Sequence, residues 1–205
     1  MLPPEATLVT VLRHGAVAGR AHVLRGALDE PLAETGWTQM HEVLRALPGR
    51  RPVDAVATSP LRRCRAFAET WAGERGLAPL VIDAFRERAF GAWEGMTPAE
   101  AEAADPAAYR VFQAAGRDAA APGGEHAQAL RERVAAAWAA WLADAQGGHR
   151  LLVTHAGVMR ALLVELLGLP FSHVYRLALP EAAHFQVSVL AGEPAVLLNL
   201  NPCAA

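Results

Sequence analysis

Three short runs of this chain each end in side chains able to handle an anion. Arg13-His14-Gly15 follows the apolar run Thr7 to Leu12. Ser59-Pro60-Leu61-Arg62-Arg63 follows Val53 to Thr58, and His155-Ala156-Gly157 follows Leu151 to Thr154. Each run is short, apolar and carries β-branched residues, which suits a buried strand. In an open α/β sheet, ligands bind beyond the carboxyl ends of the parallel strands. Two imidazoles and several guanidinium forks arriving together at that edge would grip the oxygens of a phosphate group. His155 also immediately precedes a helix start, where free backbone N–H groups favour an anion. A fourth stretch, Phe85 to Gly95, adds Glu87 and Glu94, with Arg86 and Arg88 flanking Glu87. Taken singly, a histidine after a strand is more often a backbone cap than a reagent; here the coincidence of the strand ends carries the argument.

The elements that must position these residues follow from periodicity. Trp37, Met40, Val43, Leu44 and Leu47 repeat at helical spacing and are closed by Pro48-Gly49. Ser59-Pro60 reads as an N-cap followed by Pro at the first helical position, with Leu61, Cys64, Phe67, Ala68 and Trp71 as the apolar stripe. Leu80 to Ile82 is a third, shorter strand. Thr97-Pro98-Ala99-Glu100 carries a capping box, and Pro106 breaks or kinks the helix it opens. Ala114 to Gly124 is a small-residue loop or lid. Glu125 to about Ala145 is the longest helical stretch, and Arg150 to Thr154 is the fourth strand. The helix after it is closed by Gly168. Phe185 to Leu190 and Ala195 to Leu198 read as two edge strands. The alternation predicts an α/β fold, a three-layer α-β-α sandwich with a mainly parallel central sheet. With no repeat or low-complexity linker, residues 1–205 read as a single domain with a small cap excursion around 96–124.

Composition excludes several classes. The chain has 205 residues, 53% hydrophobic and 20% charged, which suits a globular core. No apolar run is long enough to span a bilayer, and no signal peptide opens the chain, so a cytoplasmic protein without membrane contact is expected. A net charge of -2 and the lack of a basic stripe argue against nucleic acid. Cys64 and Cys203 are too few for a disulfide scaffold. None of the eight histidines pairs with another His or Cys at a helical or tight-turn spacing, so no metal and no other cofactor is expected. The apolar tail strands either finish the sheet or form the edge of a homodimer.

In order along the chain, Leu12 to Gly15, Asp29 to Leu32 with Gly36 to Gln39, Thr58 to Cys64, Glu87 to Gly95, Pro122 to Glu125 and Thr154 to Gly157 resemble the histidine phosphatase superfamily, whose fold is phosphoglycerate mutase-like. The spacing from Glu87 to Gly95 looks most like its α-ribazole phosphatase and broad-specificity phosphatase branch. The resemblance implies that His14 takes the phosphoryl group, that Arg13, Arg63 and His155 hold the phosphate oxygens, and that Glu87 protonates the leaving oxygen. Spacing alone leaves Arg62 and Arg63 open; the family motif selects Arg63. Glu94 and Glu125 fall in the motifs as pocket supports. Many members continue Arg-His-Gly with Glu-Thr and a nearby Asn, where this chain has Ala16-Val17. Arg20 and Arg25 are the loop arginines available in their place, Arg25 as a substrate contact.

The chemistry agrees with these roles. Phosphoryl transfer asks mainly for positioning and charge stabilisation, which arginines and histidines supply. Nearby cations would keep His14 neutral and nucleophilic. Arg86 and Arg88 would draw the Glu87 pKa down, favouring an acidic pH optimum if nothing offsets them. The expected activity is metal-independent hydrolysis of a small-molecule phosphate ester through phosphohistidine, α-ribazole-5′-phosphate being the specific candidate. A short cap disfavours the alternative, phosphoglycerate mutase-type transfer. A non-catalytic phosphate-ligand binding protein would need only the arginines.

Overall fold

The computed structural model describes residues 3–47, 51–115 and 118–201. Its six strands are β1 (Thr7–Arg13), β2 (Ala55–Thr58), β3 (Leu80–Val81), β4 (His149–Thr154), β5 (His184–Val189) and β6 (Val196–Leu200). The helices are α1 (Glu34–Ala46), α2 (Arg62–Gly73), α3 (Pro98–Ala104), α4 (Pro106–Ala114), α5 (Ala127–Leu142), α6 (Ala156–Leu167) and α7 (Phe171–Val174). One sheet runs in the order β3-β2-β4-β1-β5-β6, parallel from β3 to β1 and antiparallel at β5 and β6.

Alternation along the strands sends successive side chains to opposite faces. Val9, Val11, Leu152 and Phe185 meet Val134 of α5 and Leu162 of α6 on one face. Leu12, Leu151 and Val153 meet Met40 of α1 and Phe67 of α2 on the other. The result is the expected three-layer α-β-α sandwich. Several strand expectations change: β2 starts at Ala55 rather than Val53, and β6 runs on to Leu200. β5 is interior, hydrogen-bonded to both β1 and β6, because its inward face carries Phe185 and Val187 into the main core; of the two tail strands only β6 is an edge. The fourth strand also starts one residue earlier, at His149.

The cap begins as read. Thr97 accepts from the Glu100 backbone N–H and Glu100 answers by accepting from that of Thr97, which starts α3. Pro106 breaks the helix, opening α4 at its first position, with Asp105 accepting from Ala108 N at 2.9 Å. Trp93, Tyr109 and Phe112 form a small third cluster under these helices. The closure Pro48-Gly49 and part of the Ala114 to Gly124 loop lie outside the described residues. α5 is shorter than its sequence pattern, leaving Glu125 outside the helix, where it pairs with Arg133 at 2.6 Å. Among the described residues no helix is long and apolar enough to cross a membrane.

Candidate active site

β1, β2 and β4 end level, because Arg13 pairs with Thr154 and Thr58 with Val153 across the sheet. The next residue of each, His14, Ser59 and His155, therefore leaves the sheet at one place. Above it lies a cavity of about 220 Å³ whose inner end is formed by Arg13, His14, Arg63, Glu87 and Gly157. The chain turns sharply after His14. A Cβ on Gly15 would overlap the backbone of Gly36, so α1 closes directly onto that turn.

His14 is 5 % exposed, and its Nδ1 lies 2.9 Å from the Gly15 carbonyl. A carbonyl only accepts, so Nδ1 carries the proton and Nε2 keeps a bare lone pair. Burial first, then the guanidinium groups of Arg63 and Arg13, hold the His14 pKa well below its ordinary value. The same causes act on His155, burial first and Arg63 next. The two rings meet edge to face, centroids 5.3 Å apart.

Arg63 is fully buried on the first turn of α2. Its Nη1 donates to Leu28 O at 2.5 Å, its Nη2 to Gly26 O at 2.9 Å and its Nε to His155 Nδ1 at 3.3 Å. It thereby fastens the loop after His14 over the site. Arg62 projects outward, so the structure places Arg63, not Arg62, in the cavity wall. Arg13 donates through Nη1 to Leu179 O at 2.7 Å, while its buried Nε has no partner among the described residues. A buried donor without an acceptor is costly unless a ligand satisfies it.

Glu87 anchors its carboxylate on two backbone N–H groups, Arg88 at 2.9 Å and Gly157 at 3.2 Å. The loop that carries it is held from both sides. Thr154 donates to Phe85 O at 2.9 Å, and Arg133 donates to the carbonyls of Ala84, Arg86 and Glu87. The flanking arginines also make bonds of their own. Arg86 pairs with Asp83, and Arg88 donates to the carbonyls of Ala119 and Glu125. Glu94 accepts from Ala27 N and Phe90 N, bracing the loop that Arg63 also holds.

Ser59 does not cap α2. The helix starts at Arg62 with Leu61 in the cap position, and Ser59 Oγ instead sits 2.6 Å from His155 Nε2. The helix end takes its acceptor from elsewhere in the chain, Asp29 Oδ1 at 2.6 Å from Arg62 N. Arg25 lines the cavity but pairs with Glu30 at 2.6 Å, and Arg20 pairs with Glu100 on the surface. Sequence reasoning missed the outer wall, where Tyr109 and Phe112 of α4 stand with Phe90, Phe171, Tyr175 and Arg160. The i, i+3 spacing of Tyr109 and Phe112 was the available signal. Arg133 gave no signal at all.

A family model described as the histidine phosphatase superfamily, branch 1, matches residues 9–201. A bifunctional protein of Mycobacterium tuberculosis is 32% identical over 178 residues, 86% of this chain but 49% of that protein. The chain thus spans about half the length of the first curated relatives it matches. Among solved structures, mycobacterial glucosyl-3-phosphoglycerate phosphatase superposes with a TM-score of 0.82 at 29% identity, covering 96% of this chain and 99% of that one. A putative α-ribazole-5′-phosphate phosphatase from Escherichia coli gives 0.85 at 25% identity, covering 97% and 98%. The sheet and its flanking helices superpose on those of known phosphatases, and the family match covers nearly the whole chain: this chain belongs to the histidine phosphatase superfamily, branch 1, and mycobacterial relatives are named phosphatases.

Proposed function

We propose that this chain hydrolyses phosphate monoesters through a phosphohistidine formed on His14. The observation that carries the reading is the bare Nε2 of His14, fixed by the Gly15 carbonyl inside a cradle of Arg13 and Arg63. Nε2 attacks phosphorus and the bond from phosphorus to the ester oxygen breaks. Glu87 gives that oxygen its proton. Water then attacks phosphohistidine, Glu87 takes the proton back, and inorganic phosphate leaves. Throughout, Arg13 and Arg63 neutralise the equatorial oxygens, with Arg13 Nε as a donor awaiting an acceptor. His155, edge-on to His14, stands behind the cavity lining and supports the cradle by holding Arg63.

The outer wall narrows the substrate. Phe90, Tyr109, Phe112, Phe171 and Tyr175 line the cavity with aromatic rings. A compact ester with a flat ring fits these faces, and α-ribazole-5′-phosphate is such an ester. The likeness to glucosyl-3-phosphoglycerate phosphatase makes a sugar phosphoglycerate the comparison substrate.

The test is hydrolysis of an aryl phosphate between about pH 4 and pH 8 with EDTA present, comparing wild type and His14→Ala. Activity that survives EDTA and vanishes in the variant supports a metal-independent phosphohistidine route. Activity unchanged in the variant sinks it. Competing α-ribazole-5′-phosphate against glucosyl-3-phosphoglycerate in the same assay then ranks the two leaving groups.

A further inference from the structure

We propose that Ser59 is a positioning residue that fixes the tautomer of His155 and, through that ring, the orientation of the Arg63 fork. Ser59, Arg63 and His155 are all 0 % exposed, so no bulk water competes for their hydrogen bonds. The Nε of an arginine always carries a hydrogen, so His155 Nδ1, 3.3 Å away, must be the acceptor. A neutral ring has one proton, which leaves Nε2–H as the donor to Ser59 Oγ at 2.6 Å. That oxygen also accepts from Leu61 N at 3.2 Å. The buried Cys64 Sγ lies 3.6 Å from Nε2, but a thiol is a weak acceptor and a poor substitute for the hydroxyl.

Removing the hydroxyl leaves Nε2–H without its partner in a dry site. The other tautomer then gains ground, and it sets Nδ1–H against the Arg63 Nε–H. Ring or guanidinium must turn. Arg63 is planar and rigid, so a turn that spares Nε disturbs its bonds to Leu28 and Gly26 as well. Ser59 touches no reacting atom in this account; it acts through His155 and Arg63. The inference rests on the phosphate-site reading above.

Imidazole tautomers are read directly in long-range ¹H–¹⁵N correlation spectra, with His155 assigned by its loss in His155→Gln. The spectra are recorded for wild type, Ser59→Ala and Ser59→Thr, with the affinity of each for inorganic phosphate measured by calorimetry. Wild type should show Nε2–H at His155, and Ser59→Thr should keep it. Ser59→Ala should lose that pattern and bind phosphate about 10- to 100-fold more weakly, the scale of losing a partner that orients a histidine ligand. A wild-type Nδ1–H ring overturns the proposal. So does a Ser59→Ala protein that keeps either Nε2–H or wild-type phosphate affinity. Wild type that binds no phosphate overturns this inference and the phosphate site together. Wild type that binds phosphate but hydrolyses no ester sinks the catalytic reading alone, with the spectra and affinities still deciding the role of Ser59.

Discussion

Gly157 shows how tightly single residues are constrained at the strand edge. A Cβ built there would land on the Glu87 carboxylate, although Gly157 sits in the first turn of α6, where alanine is the better helix former. Gly157→Ala should therefore hold or raise the melting temperature while lowering kcat on an aryl phosphate by roughly 10- to 100-fold, the range for a displaced general acid. A thermal melt beside steady-state kinetics checks both signs. The two proposed histidines were legible because each directly follows a recognisable strand. Ser59 was misread for the opposite reason. Ser-Pro is a local helix-start signal, and the partner that outbids it, His155, lies 96 positions away.

Among the elements, α2 owes its start to a remote residue. Its first N–H is met by Asp29 from the loop that Arg63 also grips. Asp29→Ala should destabilise the protein by about 1 kcal/mol, as for a lost N-cap, and Asp29→Asn should recover most of it. Denaturant midpoints of the two variants decide the point. α3 was predicted down to its capping box because the signal lies within four residues. β5 was placed wrongly because an apolar run does not say which neighbours it will find. The aromatic wall of the cavity went unread for a related reason. Tyr109 and Phe112 look like ordinary packing residues, and they do pack against Trp93 while their edges line the site.

At the scale of the whole molecule, four histidines are held below their ordinary pKa, His14, His149, His155 and His184, in each case chiefly by burial. His149 shows what this requires. Nδ1 donates to Arg51 O at 2.9 Å and Nε2 accepts from Thr10 Oγ1 at 2.8 Å, a pairing that only the neutral ring can make. The unfolded chain binds protons as pH falls through 6.5, and the folded chain resists them. Stability should therefore fall on acidification below that pH, each histidine contributing up to about 1.4 kcal/mol per pH unit. Urea midpoints at about pH 8 and about pH 5 test this, and a flat profile would contradict it. The sheet order carries a different lesson. β1 and β2 are not neighbours; β4 stands between them and bonds to both. During synthesis, His14 and Ser59 emerge long before the strand that unites them, and that strand brings His155 with it. The nascent protein can hold no half-built site at this edge, and a refolding chain should regain its proposed phosphate site and close its sheet in one kinetic step. The same wedge that completes the scaffold completes the proposed phosphate site.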